Sequence, residues 1–125
     1  MDDLIAWLRA CLDDDERVAR QVMAEPGGFY LEAETDDTNV MTIGAHVYRW
    51  TPKRVLDEMD AKRRILDLHE HVPAAPWGRT DVTEIGCTIC AYRQDDVIGK
   101  GWCQTVRLLA LPYADREGYR DEWKP

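Results

Sequence analysis

The sequence contains no apolar run approaching the roughly 18 residues that a membrane-spanning helix needs. It begins Met1-Asp2-Asp3, with no basic segment ahead of a hydrophobic one, so no secretory leader is expected. Internal repeats and low-complexity tracts are missing too. Positive charge is scarce: 16 Lys and Arg face 24 Asp and Glu, for a formal net charge of −8. Nucleic-acid binders usually carry a basic footprint, and anionic membranes attract the same charge, so both are disfavoured as partners. No glycine-rich phosphate loop, nucleophile–base triad or paired-carboxylate motif is recognisable. These absences leave a cytoplasmic setting under reducing conditions. There, the four cysteines are better explained as metal ligands, core residues or redox groups than as disulfides.

What is present is an ordinary globular balance. With 125 residues, 45% hydrophobic and 32% charged, one domain with a modest core is expected, of class α+β. Residues 2–24 read as an N-terminal helix that Asp2 or Asp3 caps. Leu4, Leu8, Cys11, Val18 and Val22 share one stripe, with Trp7 beside it. Asp15 interrupts the stripe, so the acidic run 13–16 is expected to kink the helix or form an exposed turn. Pro26-Gly27-Gly28 closes it. Residues 29–34 and 39–43 then read as a β-hairpin with Asp36-Asp37 near its turn, while 45–50 fit strand or helix equally.

The clearest element is a long second helix over 51–70, with Thr51 as N-cap and Pro52 at the first helical position. Val55, Leu56, Met59 and Leu66 form its buried stripe. At about 100° per residue, His69 falls on that stripe and His71 on the opposite side. Residues 72–82, with Pro73, Pro76 and Gly78, read as a loop. The segment 84–113 then holds a tight turn at Cys87 and Cys90, a short hairpin of Tyr92 and Val97-Ile98, and a helix from Trp102 or Cys103 to Leu111, stopped by Pro112. In the tail, 114–125, Tyr119 and Trp123 are expected to dock back on the domain.

The chemistry lies in the spacing Cys87-x2-Cys90-x12-Cys103. A C-x2-C turn places two thiolates on one edge of a tetrahedral zinc ion. Cys103 opens a helix, whose dipole favours the thiolate a metal requires. The spacing leaves the fourth ligand open: His69, with 17 residues between it and Cys87, faces the core and is the favoured candidate. His71, His46 and Cys11 could replace it, though Cys11 fits the first helix's core stripe as a small hydrophobe. Buried cysteines are often only core, but three at this spacing with a core-facing histidine favour zinc. An iron–sulfur cluster is the alternative, since thiolates suit both metals. The run His69-Glu70-His71 ahead of Cys87-x-x-Cys90 superficially resembles the zinc deaminase pattern H-x-E then P-C-x-x-C. It departs from it at His71, where the catalytic Glu belongs, at Gly86, where Pro belongs, and in having Cys103 at all.

Lys53, Arg54, Lys62, Arg63 and Arg64 make the second helix the one basic element of an acidic chain. Phosphate contact is one reading. A solvated face paired with Asp57, Glu58, Asp60 and Asp67 is the favoured one. Of the five tryptophans, most are expected in the core, and Trp77, in the proline-bearing loop, is the candidate for an exposed interaction residue.

The chain resembles a family of short proteins of unknown function found in actinobacteria and their phages. The resemblance rests on Met1-Asp2-Asp3-Leu4-Ile5, Pro52-Lys53-Arg54-Val55-Leu56, and Ala61-Lys62-Arg63 with Ile65-Leu66 and His69. Its most specific part is Cys103 with Arg107-Leu108-Leu109-Ala110-Leu111-Pro112-Tyr113-Ala114-Asp115 and the ending 119–125. It implies a shared His and C-x2-C…C set, and so a bound metal. Cys11 stands where the family resemblance implies a charged residue, which argues against it as a ligand. Together these features point to a zinc-stapled protein-interaction or regulatory module without catalytic activity. Its expected partner is another protein, with self-association through the first helix as a further option. Two competing readings are a zinc-dependent hydrolase or deaminase-like enzyme with an open metal position, and a weak nucleic-acid binder using the second helix's basic face.

Overall fold

The structure is a computed structural model and describes residues 3–25, 38–74, 84–90 and 102–125. It is mostly helical, with one small two-stranded sheet among the described residues. The order is α1 (Asp3–Ala24), α2 (Thr38–Arg49), α3 (Pro52–Leu68), β1 (His71–Ala74), β2 (Glu84–Cys87) and α4 (Gln104–Ala110). Two single-turn 3₁₀ helices follow, Leu111–Tyr113 and Asp121–Trp123. The chain divides into two compact units: Met1–Cys11 with Lys62–Pro125, and Leu12–Ala61.

The first unit carries the cysteine cluster. Leu4, Leu8 and Cys11 recur at helical spacing along α1 and are buried. Leu66 of α3 and Val106 and Ala110 of α4 are buried in the same unit. Fully burying a leucine contributes about 1.5–3 kcal/mol, so these few side chains carry much of a small core. The C-terminal tail closes on α1. The Trp7 indole N–H donates to the Glu117 carbonyl at 2.9 Å, and the Trp7 ring lies 5.5 Å from Tyr119 and 5.4 Å from Trp123. Arg116 donates to the Cys11 carbonyl at 3.3 Å, and Arg107 donates to that of Lys124 at 3.1 Å. Charged side chains thus tie the tail by capturing backbone carbonyls that would otherwise lose their water partners.

In the second unit, Leu12, Ala19 and Met59 are buried. The acidic run 13–16 does not break α1. Asp14 pairs with Arg17 at 2.7 Å and Glu16 with Arg20 at 2.8 Å, so the charges sit on a continuous helix as i,i+3 and i,i+4 pairs. The strand expected at 39–43 is instead part of α2. Val40, Ile43 and Val47 also fit a helical period, and Asp36, Asp37 and Thr38 suit a helix start as well as a turn. A short β-branched run does not decide between the two. The other expected strand of that hairpin, 29–34, and the hairpin of Tyr92 and Val97-Ile98 lie outside the described residues.

α3 begins as its sequence implies. Thr51 Oγ1 accepts the Arg54 amide at 3.3 Å, and Pro52 takes the first helical position. Its basic residues are committed locally: Lys53 pairs with Asp57 at 2.8 Å and Arg54 with Glu58 at 3.8 Å. Such exposed pairs each contribute little to stability. Arg54 also stacks 4.2 Å over Trp50, which is exposed rather than a core tryptophan. Past α3, residues 71–74 form a strand where a loop was expected. β1 pairs antiparallel with β2, matching His71 to Cys87, Val72 to Gly86, Pro73 to Ile85 and Ala74 to Glu84. Pro73 does not prevent this, because in a two-stranded ribbon every strand is an edge and a missing N–H donor is tolerated there.

Gly118 tests the tail docking. Its φ is +90°, and a Cβ there would meet Trp7 Nε1 at 2.9 Å. Gly118→Ala is therefore expected to cost about 1–3 kcal/mol, from backbone strain and displacement of Trp7. Urea unfolding should show a lower midpoint at unchanged slope, and an unaffected midpoint would mean the tail does not seat on Trp7.

Candidate metal centre

Three stretches of chain deliver the cluster. α3 ends at Leu68, and the His69 amide still bonds back to the carbonyls of Ile65 at 3.1 Å and Leu66 at 3.2 Å. His69 therefore leaves the helix at a fixed angle. β2 ends on Cys87, and the turn through Thr88 and Ile89 brings Cys90 round. The Cys90 amide points at Cys87 Sγ, 3.5 Å away, and the Thr88 amide donates to the Glu70 carbonyl at 2.9 Å. That second bond pins the turn to the end of α3. Cys103 is the N-cap of α4, with extended backbone and no side-chain capping bond. Its sulfur is turned to the cluster instead.

The four donor atoms converge. His69 Nδ1 lies 3.4 Å from Cys87 Sγ, 3.4 Å from Cys90 Sγ and 3.7 Å from Cys103 Sγ. All four atoms lie within 4.8 Å of one another. A tetrahedral zinc with Zn–S near 2.3 Å and Zn–N near 2.05 Å sets sulfur and nitrogen about 3.5 Å apart, so these donors match one ion. Cys87 and Cys103 are fully buried and Cys90 is half-buried. Burial pushes the Cys103 thiol up to about 12, and the sulfurs of Cys87 and Cys90 push it the same way. Burial likewise raises Cys90, with Cys87 adding to the shift. Crowded sulfurs in a dry pocket resist ionising one another. A divalent cation at their centre reverses that balance, because it deprotonates coordinating thiols.

His71 is the residue whose place the sequence did not reveal. It lies opposite Cys87 in the strand pairing, and its Nε2 accepts the Cys103 amide at 3.0 Å. The ring packs edge-on to Trp102 at 5.0 Å. Burial holds its basicity below the usual histidine range, which suits a neutral ring with an accepting nitrogen. Its Nδ1 is buried without a hydrogen-bond partner. So His71 supports the backbone of a ligand-bearing residue and offers no nitrogen to the cluster. Neither Cys11 nor His46 joins the cluster: Cys11 is buried in α1, and His46 lies in α2 with its ring 6.5 Å from Trp50. Of the candidate surface residues, Lys53 and Arg54 are ion-paired, Arg63 and Arg64 also have partners, and Trp77 lies outside the described residues. A cleft of about 320 Å³ adjoins the cluster, with His69, Glu70, His71 and Trp102 on its wall and the Arg9–Asp67 ion pair, at 2.7 Å, across it.

The fold and site define a small, mostly helical protein whose three cysteines and one histidine form a cluster able to hold a metal ion. The chain belongs to the family of unknown function DUF6221, whose family model matches residues 1–125. No curated protein and no solved structure matches the chain.

The contact between His71 and the Cys103 amide can be tested by itself. His71→Ala removes the acceptor for a buried amide and should cost about 1–3 kcal/mol in unfolding free energy. His71→Gln, which keeps an acceptor, should recover part of that loss in the same denaturant titration. Equal stability of all three proteins would mean the Cys103 amide does not depend on His71.

Proposed function

We propose that this protein is a zinc-binding module with a closed, structural site formed by His69, Cys87, Cys90 and Cys103. The observation that carries the reading is the convergence of those four donor atoms, from three stretches of chain, within 4.8 Å. Four protein ligands complete a tetrahedron and leave no place for a reactive water, which separates a structural from a catalytic zinc. When bound, the ion supplies cross-linking and charge, and no chemical step. It ties the end of α3 and the turn after β2 to the start of α4. Zinc is favoured over an iron–sulfur cluster because donors this close match a single ion, while a cluster spreads its ligands around several metal atoms.

The module's role is contact with another protein in the cytoplasm. Leu68, Val72 and Ile89, which flank the ligands in sequence, are exposed at 62%, 37% and 48%. These side chains, one each from the end of α3, from β1 and from the Cys87–Cys90 turn, support a partner surface more than a substrate site. The net charge of −8 and the ion pairs of Lys53 and Arg54 weigh against nucleic acid. The cleft beside Glu70 keeps an enzyme as the second reading, one that requires a ligand to leave the metal.

Metal content decides between them. Protein purified without added metal should hold about one zinc per chain. Cys87→Ser, Cys103→Ser and His69→Ala should lose it, while Cys11→Ser, His46→Ala and His71→Ala should keep it. Structural zinc sites contribute roughly 10–16 kcal/mol of apparent binding free energy, so chelation should lower the melting temperature by on the order of 20 °C or more. A metal-free wild type would overturn the proposal. Zinc retained at full occupancy in His69→Ala would raise the open-site reading.

Binding should also depend on pH. The raised Cys90 and Cys103 thiols are protonated at neutral pH, so each ion that binds releases at least their two protons. Apparent affinity should then fall at least about a hundredfold for each pH unit lowered through neutrality. Calorimetric titrations in buffers of different ionisation enthalpy count the protons directly. Release of fewer than two would exclude these thiols as a ligand pair.

A further inference from the structure

We infer that Cys90 is an oxidation site at which a hydroperoxide closes a Cys87–Cys90 disulfide and ejects the metal. The inference rests on the metal-site reading above and adds a regulation to it. Among the four cysteines, Cys11, Cys87 and Cys103 are buried and Cys90 is half-buried, the most accessible of them. A small oxidant therefore reaches Cys90 first. A metal-bound cysteine is held as thiolate, the form that attacks peroxide.

The geometry also selects the second sulfur. Cys90 directs its amide to Cys87 Sγ at 3.5 Å, and the two residues share one short turn. The residues between them, Thr88 and Ile89, are exposed, so the turn can tighten without disturbing the core. Cys103 is less free: its amide is fixed on His71 at 3.0 Å, it caps α4, and it is fully buried. A disulfide needs its sulfurs about 2.05 Å apart, and the C-x2-C pair reaches that by a shift at Ile89 and Cys90, past the Thr88 amide that stays bonded to Glu70.

The electrons balance. The Cys90 thiolate attacks one peroxide oxygen, the O–O bond breaks, and hydroxide leaves, giving a sulfenic acid. The Cys87 thiolate then attacks the Cys90 sulfur, the S–O bond breaks, the S–S bond forms, and a second hydroxide leaves. Two thiolates are oxidised and one peroxide is reduced. His69 and Cys103 remain as two donors, too few to hold zinc against solvent. The Thr88–Glu70 bond, the β1–β2 pairing and the Cys103 amide bond to His71 do not involve the sulfurs, so the oxidised chain keeps its ribbon and that one bond to the start of α4 while losing the metal cross-link.

The test uses the full zinc-loaded protein and hydrogen peroxide, with released zinc read by a chromophoric chelator. Cysteines are mapped by differential alkylation and mass spectrometry. The expected result is one zinc released for each peroxide consumed, with Cys87 and Cys90 together resisting alkylation. Reductant and added zinc should restore the starting state, and Cys11→Ser should respond like wild type. Zinc retained under peroxide, or released with Cys103 in the disulfide, would overturn the inference while leaving the metal site standing. Protein found without zinc before any peroxide is added would overturn both.

Discussion

Three sulfurs and one imidazole nitrogen share a volume that fits a single ion, and that crowding sets the terms for the chain around it. Such a cluster is costly to build from protein alone. The sulfurs are dry, they oppose one another's ionisation, and no cationic side chain is among the four residues that compose it. A cation turns the same arrangement into a net source of stability. The local structure is arranged to serve that geometry: a helix that stops at Leu68, a two-stranded ribbon that ends on Cys87, and a short helix that begins just after Cys103. The ribbon and the seven-residue helix are marginal by themselves, so an ion bound among their ends would add a cross-link where the elements are weakest.

The rest of that unit is held by a different device. Trp7, Tyr119 and Trp123 stack on one another, and Arg107 and Arg116 reach backbone carbonyls of the tail and of α1. Aromatic contacts give a small core large buried area at low entropic cost. Together the cysteine–histidine cluster, once a metal ion fills it, and the aromatic group would make two fastenings on one unit. One joins α3, the ribbon and α4, and the other joins α1 to the chain's last residues. Lys62 extends the second, lying 3.1 Å from the Tyr113 hydroxyl and 5.1 Å from its ring centre. Its charged end thus finds a polar and an aromatic partner while its stem stays packed.

The sequence is most readable where chemistry repeats a rigid rule. Cys87, Cys90 and Cys103 stand out because a C-x2-C turn and a helix N-terminus each impose a spacing. α1 and α3 stand out from apolar period and caps, with Thr51 and Pro52 marking one start. Reading fails where a segment satisfies two periods at once. Residues 39–43 carry β-branched side chains, yet their spacing is also helical, and local propensity is too weak to settle it. Trp50 suggests a core residue because tryptophan is large and apolar, but Arg54 covers its face and lets it stay exposed. β1 is hidden by Pro73, a residue that argues against central strands and says little about edges.

The pair His69 and His71 shows how a correct rule misleads when carried one turn too far. On a continuing helix, residues two apart point to opposite sides, and His71 is turned away from any site that holds His69. The helix ends at Leu68, however, and an extended strand begins at His71. His69 sits in the bend between the two, so the helical offset does not govern the pair. Both imidazoles therefore come to bear on Cys103, one at its sulfur and the other at its amide. That division of labour follows from where the helix stops. It also gives the departure from the deaminase pattern at position 71 a structural setting. The position that would hold a general acid–base is filled by a neutral histidine, and that histidine is occupied in accepting a backbone proton. Contacts on both the sulfur and the amide of Cys103 hold that residue from two sides, and a donor held in this way would be oriented before any ion arrives.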